Sequence, residues 1–127
     1  KYVIDLATLT GACVVALGSV ASGLYTNDEE LYEQILAAST SASEKVWRMP
    51  LFDEYKTMIK GNHADLQNIG GWGGKAGSVT AACFLQEFVD YKWAHLDIAG
   101  VADSAESKGS TGRPYKLLVE LVRKFAL

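Results

Sequence analysis

Positive charge is scarce in this sequence. Lys and Arg number 12 against 15 Asp and Glu, a net charge of -3, and no basic cluster is denser than Arg123-Lys124. Binding to phosphate backbones needs concentrated Lys and Arg, so nucleic acid is not an expected partner. Long apolar runs are missing as well. The longest, such as Ala12 to Leu17, fall far short of the roughly 20 residues that cross a bilayer as a helix. No basic-then-apolar signal segment opens the chain. A soluble protein without a membrane partner is expected.

Cysteine and histidine are nearly absent, with two of each. Cys13 and Cys83 stand far apart, with no Cys-x-x-Cys pair and no His at metal-site spacing. They read as buried free thiols, since free Cys behaves as a small hydrophobe, and that fits a reducing cytoplasm. Gly-x-Ser-x-Gly does not occur, so no Ser-His-Asp case can be built.

What is present describes an ordinary globular chain: 127 residues, 49% hydrophobic and 21% charged. A chain of this length folding alone buries roughly 65 to 70% of its unfolded surface. There is no initiator Met, and Lys1-Tyr2-Val3-Ile4-Asp5-Leu6 reads at once as a buried, central strand. That opening points to a piece of a longer polypeptide.

Gly11 to Leu17 is a helical candidate and Ala21 to Thr26 a short strand. Asn27 followed by Glu30 predicts an N-cap for a helix running to about Ala38, where Ser39 to Ser43 forms a polar break. Val46 to Met49 is a short apolar piece, and Pro50 opens a segment with Phe52, Tyr55 and Ile59 on one stripe. Gly70 to Gly74 is the expected flexible segment, leading into a helix over Ala76 to Val89. Trp93 to Ala99 is a second clear strand, Asp103 to Gly112 a polar loop, and the chain closes with an amphipathic helix after Pro114. Strands alternating with helices predict an α/β fold: a mixed, largely parallel central sheet covered by helices on both faces.

Sheets of this class hold ligands beyond the carboxyl ends of their strands. Thr8-Leu9-Thr10-Gly11 lies at such a strand-to-helix junction, and Gly100 ends another strand. A nucleotide- or phosphate-binding module is the alternative left open, because free amides at a helix start attract anions. Neither Gly-x-Gly-x-x-Gly nor Gly-x-x-x-x-Gly-Lys-Ser/Thr occurs at the junction, and "GGWGGKAGS" lacks the spacing and the preceding strand. Two His-x-Asp triplets, His63-Ala64-Asp65 and His95-Leu96-Asp97, invite a metal reading. Residues two apart on a strand share a face, so His95 and Asp97 are expected as a hydrogen-bonded structural pair; a closed metal site needs more ligands.

As a set, "DLATLTGA" (5 to 12), "ADLQNIG" (64 to 70), "AGSVTAACFL" (76 to 85), "WAHLDIAG" (93 to 100) and "TGRP" (111 to 114), in this order, closely resemble the leucyl aminopeptidase family of two-metal exopeptidases. The resemblance implies a cytosolic, hexameric enzyme that removes N-terminal residues, leucine among the preferred ones, from peptides. It implies that residues 1 to 127 are the C-terminal portion of the catalytic domain. The family's metal ligands lie in one motif reading roughly Gly-Lys-Gly then Asp-Thr-Gly-Gly and another reading Asn-Thr-Asp-Ala-Glu-Gly-Arg, and neither occurs here. The N-terminal domain is also missing, and the arginine and second lysine of the family's catalytic machinery belong to the same absent stretches. Two divalent ions, Zn or Mn, are therefore expected in the full-length enzyme and none on this segment, which holds no catalytic or metal residue of its own.

By the matched motifs, Thr8, Leu9, Thr10 and Gly11 present backbone groups to the substrate, with Thr8 and Gly11 lining the pocket for the first side chain. Ala99 and Ala102 match its floor and Ile69 a wall for the second side chain. Some relatives carry a larger apolar residue at 102, so Ala102 bears on the preferred first residue. The His-x-Asp positions are not ligands in that pattern. A DNA-binding role, which a few such aminopeptidases combine with catalysis, is disfavoured by the acidic balance.

Overall fold

A computed structural model describes residues 1–70, 73–106 and 108–126. Val, Ile and Leu put Val3–Ala7 into strand β1, which breaks at Thr8 and re-forms as helix α1, Gly11–Leu17. β2 (Ser22–Thr26), α2 (Glu29–Ala42) and β3 (Val46–Arg48) follow, then a short α3 (Asp53–Lys56) continued by a 3-10 turn at Thr57–Ile59. α4 (Gly77–Gln86), β4 (Trp93–Asp97), the small hairpin β5 (Asp103–Ser104) and β6 (Gly109–Ser110), and α5 (Tyr115–Ala126) complete the chain.

The main sheet has the order β1-β4-β2-β3. β1 runs parallel to β4 and β2 parallel to β3, while β2 and β4 are antiparallel. Side chains alternate across it. Ala94 and Leu96 of β4 face a core with Leu24, Leu31, Ile35, Leu117 and Leu121, which beds α2 and α5. Trp93 faces the other side with Tyr25, Ile59, Val79, Ala82 and Cys83, under α4 and the 3-10 turn. The mixed sheet covered on both faces is thus as expected. Both cysteines are free and buried.

Several boundaries differ from the sequence reading. β1 is an edge strand, with Val3 42% exposed, because among the described residues only β4 pairs with it; an apolar run does not encode strand order. The cap of α2 is Asp28, whose carboxylate accepts from the Leu31 amide at 2.8 Å, while Asn27 bonds back to the Trp93 amide at 2.9 Å. α2 also passes through the expected break at Ser39. There the Ser39 hydroxyl donates to the Glu44 carbonyl at 2.7 Å and that of Thr40 to the Leu36 carbonyl at 3.1 Å, so both polar groups are satisfied without ending the helix. Ser43 ends it in the left-handed conformation, φ 55°.

Pro50 lies ahead of α3 and outside it. α4 begins at Gly77 and ends at Gln86, inside the expected span. Gly71 and Trp72 of the segment expected to be flexible, and Ser107 of the polar loop, lie outside the described residues. The rest of that loop is tied into the β5–β6 hairpin. The buried Glu44 carboxylate accepts from the Leu117 amide at 2.8 Å, joining the end of α2 to the first turn of α5, where a negative charge meets free amides and the positive end of the helix dipole. No described helix is long and apolar enough to cross a membrane.

Candidate functional site

The junction Thr8 to Gly11 leaves β1 at its carboxyl end and is fastened by a residue of the neighbouring strand. Asp97, 1% exposed, accepts from the Leu9 amide and from the Ala99 amide, both at 3.2 Å and both on Oδ1. Its Oδ2 accepts from the Thr10 hydroxyl at 2.7 Å. A hydroxyl has one proton; with that proton given to Asp97, the Thr10 oxygen is oriented to accept from the Cys13 amide at 3.0 Å. Thr10 is therefore the N-cap of α1, a contribution of about 1 kcal/mol.

The remaining expected site residues fall around this anchor. Leu9, Thr10 and Ile69 line one cavity of about 340 Å³, bordered also by Gly77, Thr80 and Phe84 of α4. Thr8 and Gly11 lie exposed on the same turn, outside that lining. Ala99 and Ala102 are half-buried on the loop after β4 and do not border the cavity either. The Val101 and Ala102 amides donate to the Ile98 carbonyl at 3.1 and 3.0 Å, which fixes the two alanines in one tight turn.

That turn is braced from behind. A Cβ on Gly100 would stand 2.0 Å from the Gly18 carbonyl oxygen, so only glycine lets the end of α1 approach so closely. The "TGRP" motif holds the same region: the Thr111 amide donates to the Ala102 carbonyl at 2.8 Å, and the Arg113 guanidinium donates to the carbonyls of Ser19 and Val20 at 3.0 and 2.9 Å.

His95 and Asp97 share a face of β4 yet do not pair with each other, contrary to expectation. His95 Nδ1 bonds to the carboxylate of Asp5, its direct neighbour on β1, which also accepts from Trp93 Nε1 at 2.6 Å. Burial pushes the Asp5 carboxyl up, but the bonds from His95 and Trp93 outweigh it and hold its pKa below the usual value. Asp5 and the anchoring role of Asp97 were missed because both depend on cross-strand register. The available signal was a carboxylate inside an apolar strand, which must find partners.

Burial and the nearby Asp97 charge push the Cys13 thiol up; its Sγ lies 3.8 Å from the Asp97 carbonyl oxygen. Tyr25 donates to or accepts from Ser78 at 2.5 Å, and burial raises its phenol as well.

Among the described residues no three His, Cys, Asp or Glu side chains are grouped to hold a metal ion. His63 and Asp65 lie on an exposed bend. Among the described residues, the donor set does not fit a two-metal centre. The glycine-rich segment is preceded by that bend and an isolated Lys60–Leu66 bridge, where a phosphate loop would follow a strand. The opening of α4 is occupied by α1: a Cβ on Gly77 would meet Ala12 Cβ at 3.2 Å.

The model of the cytosol aminopeptidase family, catalytic domain, matches residues 1–119. A protein described as "Probable cytosol aminopeptidase" from Nitrosospira multiformis is 58% identical over 124 residues, 96% of this chain and 24% of its own length. Another of that description from Methylobacillus flagellatus is 53% identical over 128 residues, 99% of this chain and 25% of its own. Among solved structures, a mutant of tomato leucine aminopeptidase superposes with a TM-score of 0.93 at 42% identity, covering 98% of this chain and 25% of that one. The chain thus spans about a quarter of the length of the relatives it matches.

Proposed function

This chain belongs to the cytosol aminopeptidase family, and we propose that it is the C-terminal portion of the catalytic domain of a two-metal-ion aminopeptidase that releases N-terminal residues, leucine preferred, from peptides. The full-length enzyme is a cytoplasmic homo-hexamer. Its N-terminal domain, its Zn or Mn ions and their ligands lie in polypeptide beyond residues 1 to 127. This segment supplies walls of the substrate pocket.

The observation that carries the reading is the convergence of the family match with the anchored junction at Thr8, Leu9, Thr10 and Gly11, where a peptide end would meet main-chain groups. Bound ions would supply polarisation of the scissile carbonyl and an activated water. The part of this chain is to orient the substrate and exclude solvent. Thr8, Gly11, Ala99 and Ala102 would enclose the first side chain, with Ile69 beside the second. Small residues at 99 and 102 leave volume there. Burying the three carbons by which leucine exceeds alanine is worth about 2.4 kcal/mol, roughly fiftyfold in preference.

The test is hydrolysis of leucine amide. The full-length enzyme containing this segment turns it over with Mn²⁺ or Zn²⁺, and residues 1 to 127 alone do not. Turnover by the isolated segment, or a full-length enzyme inert toward amino-acid amides, overturns the reading. A thermal shift with ATP in that inert case would favour the phosphate-binding alternative.

A further inference from the structure

We propose that Asp97 is the positioning residue that sets the separation between the Thr8–Gly11 turn and the Ala99–Ala102 floor, and through it the selectivity for the first side chain. The proposal rests on the aminopeptidase reading above and adds a residue outside the expected pocket lining.

The geometry is specific. One carboxylate oxygen, Oδ1, takes the amide of Leu9 from one segment and the amide of Ala99 from the other, each at 3.2 Å. The two walls are thereby referred to a single atom and cannot drift apart without breaking a bond to it. The second oxygen holds the Thr10 hydroxyl at 2.7 Å, which orients the cap of α1. The side chain itself is buried and comes from the last residue of the central strand β4, paired on both sides, by β1 and by β2. It is therefore a rigid reference for two loops that are otherwise short and partly exposed. A carboxylate suits the task because all its sites accept.

Two variants separate the contributions. In Asp97→Asn one oxygen still takes both amides, but the neighbouring NH2 group cannot accept from the hydroxyls of Thr10 and Ser78, so the side of the cap loosens while the two walls stay joined. In Asp97→Ala the walls are released from each other. Both are made in the full-length enzyme and followed by hydrogen–deuterium exchange and by kcat/KM for leucine amide and alanine amide. In Asp97→Ala, exchange at Leu9 and Ala99 accelerates while Leu24 and Leu96 in the core strands stay protected. The leucine-to-alanine ratio falls by about tenfold or more, on the scale a pocket fit to a few methylenes can supply. Asp97→Asn keeps protection at both amides and loses about threefold or less of that ratio.

In Asp97→Ala, unchanged exchange at Leu9 and Ala99, or faster exchange with a ratio within about twofold of the unmodified enzyme, overturns the proposal. Should Asp97→Ala fail to fold, Asp97→Ser, whose hydroxyl is too short to bridge the two amides, decides between the same outcomes: faster exchange at Leu9 and Ala99 with a fall in the ratio supports the clamp, and unchanged exchange or an unchanged ratio overturns it. If the unmodified enzyme hydrolyses neither amide, the functional reading and the selectivity half of the proposal fall together, and the exchange comparison alone decides whether Asp97 joins the two segments.

Discussion

His95 and Asp5 stand directly opposite each other on β4 and β1, joined through the imidazole Nδ1 and one carboxylate oxygen. Trp93 adds its indole N–H to the second oxygen at 2.6 Å, so an edge strand is stitched to its neighbour by side chains as well as by its ladder. Trp93 and His95 are both fully buried, and replacing Asp5 by a group with one acceptor leaves one of them unpaired, at about 1–3 kcal/mol.

The pH dependence follows from the lowered pKa of Asp5. A carboxyl whose folded value is depressed contributes stability that is complete above its unfolded value near 3.9 and is lost as pH falls through the folded one. The difference in melting temperature between the unmodified chain and Asp5→Asn is therefore greatest near neutrality and shrinks below about pH 4. Thermal melts from neutral to acid pH check this. A constant difference across the series contradicts it.

Gly100→Ala is expected to be among the most damaging single-methyl additions, because its Cβ meets the Gly18 carbonyl oxygen, a backbone atom, at 2.0 Å. The cost is about 3 kcal/mol or more. Gly18→Ala meets nothing within 4 Å but carries φ +59°, so only backbone strain of about 1–3 kcal/mol applies. Urea midpoints of the two variants give the order directly.

Both thiols are buried, and burial raises the pKa of each, so little thiolate forms near neutrality. A disulfide-exchange reagent should label neither cysteine appreciably in the native protein and both after denaturation. Rapid labelling of Cys13 in the folded state would show that α1 opens readily away from Asp97.

Ala102 tests the pocket reading. It is half-buried on the same turn as Ala99, and Ala102→Leu in the full-length enzyme would fill volume assigned to the first side chain. Leucine amide should lose about tenfold or more relative to alanine amide, while the fold, measured by circular dichroism, is unchanged. A ratio that stays put removes Ala102 from the pocket.

Much of the architecture was legible locally. The bounds of α1 follow from the junction "TLTGACVVAL", and the amphipathic stripe of α5 is answered by buried Leu117 and Leu121. The end of α2 was not legible, since Ser39 and Thr40 look like a break until the Leu36 and Glu44 carbonyls are seen to satisfy them. Neither was its cap. Asn27 and Asp28 both suit the position, and only the approach of β4, which claims Asn27 for the Trp93 amide, decides between them.

The order of strands and helices, the lone thiols and the five family motifs were determined by the sequence, because each depends on residues near one another in the chain. The partners of Asp5, His95 and Asp97 were decided only by the tertiary structure. Bringing residues about ninety positions apart into one parallel register selects, among several possible pairs of polar groups, the set whose hydrogen bonds close. A buried carboxylate in a sequence announces that partners exist, and the fold chooses which.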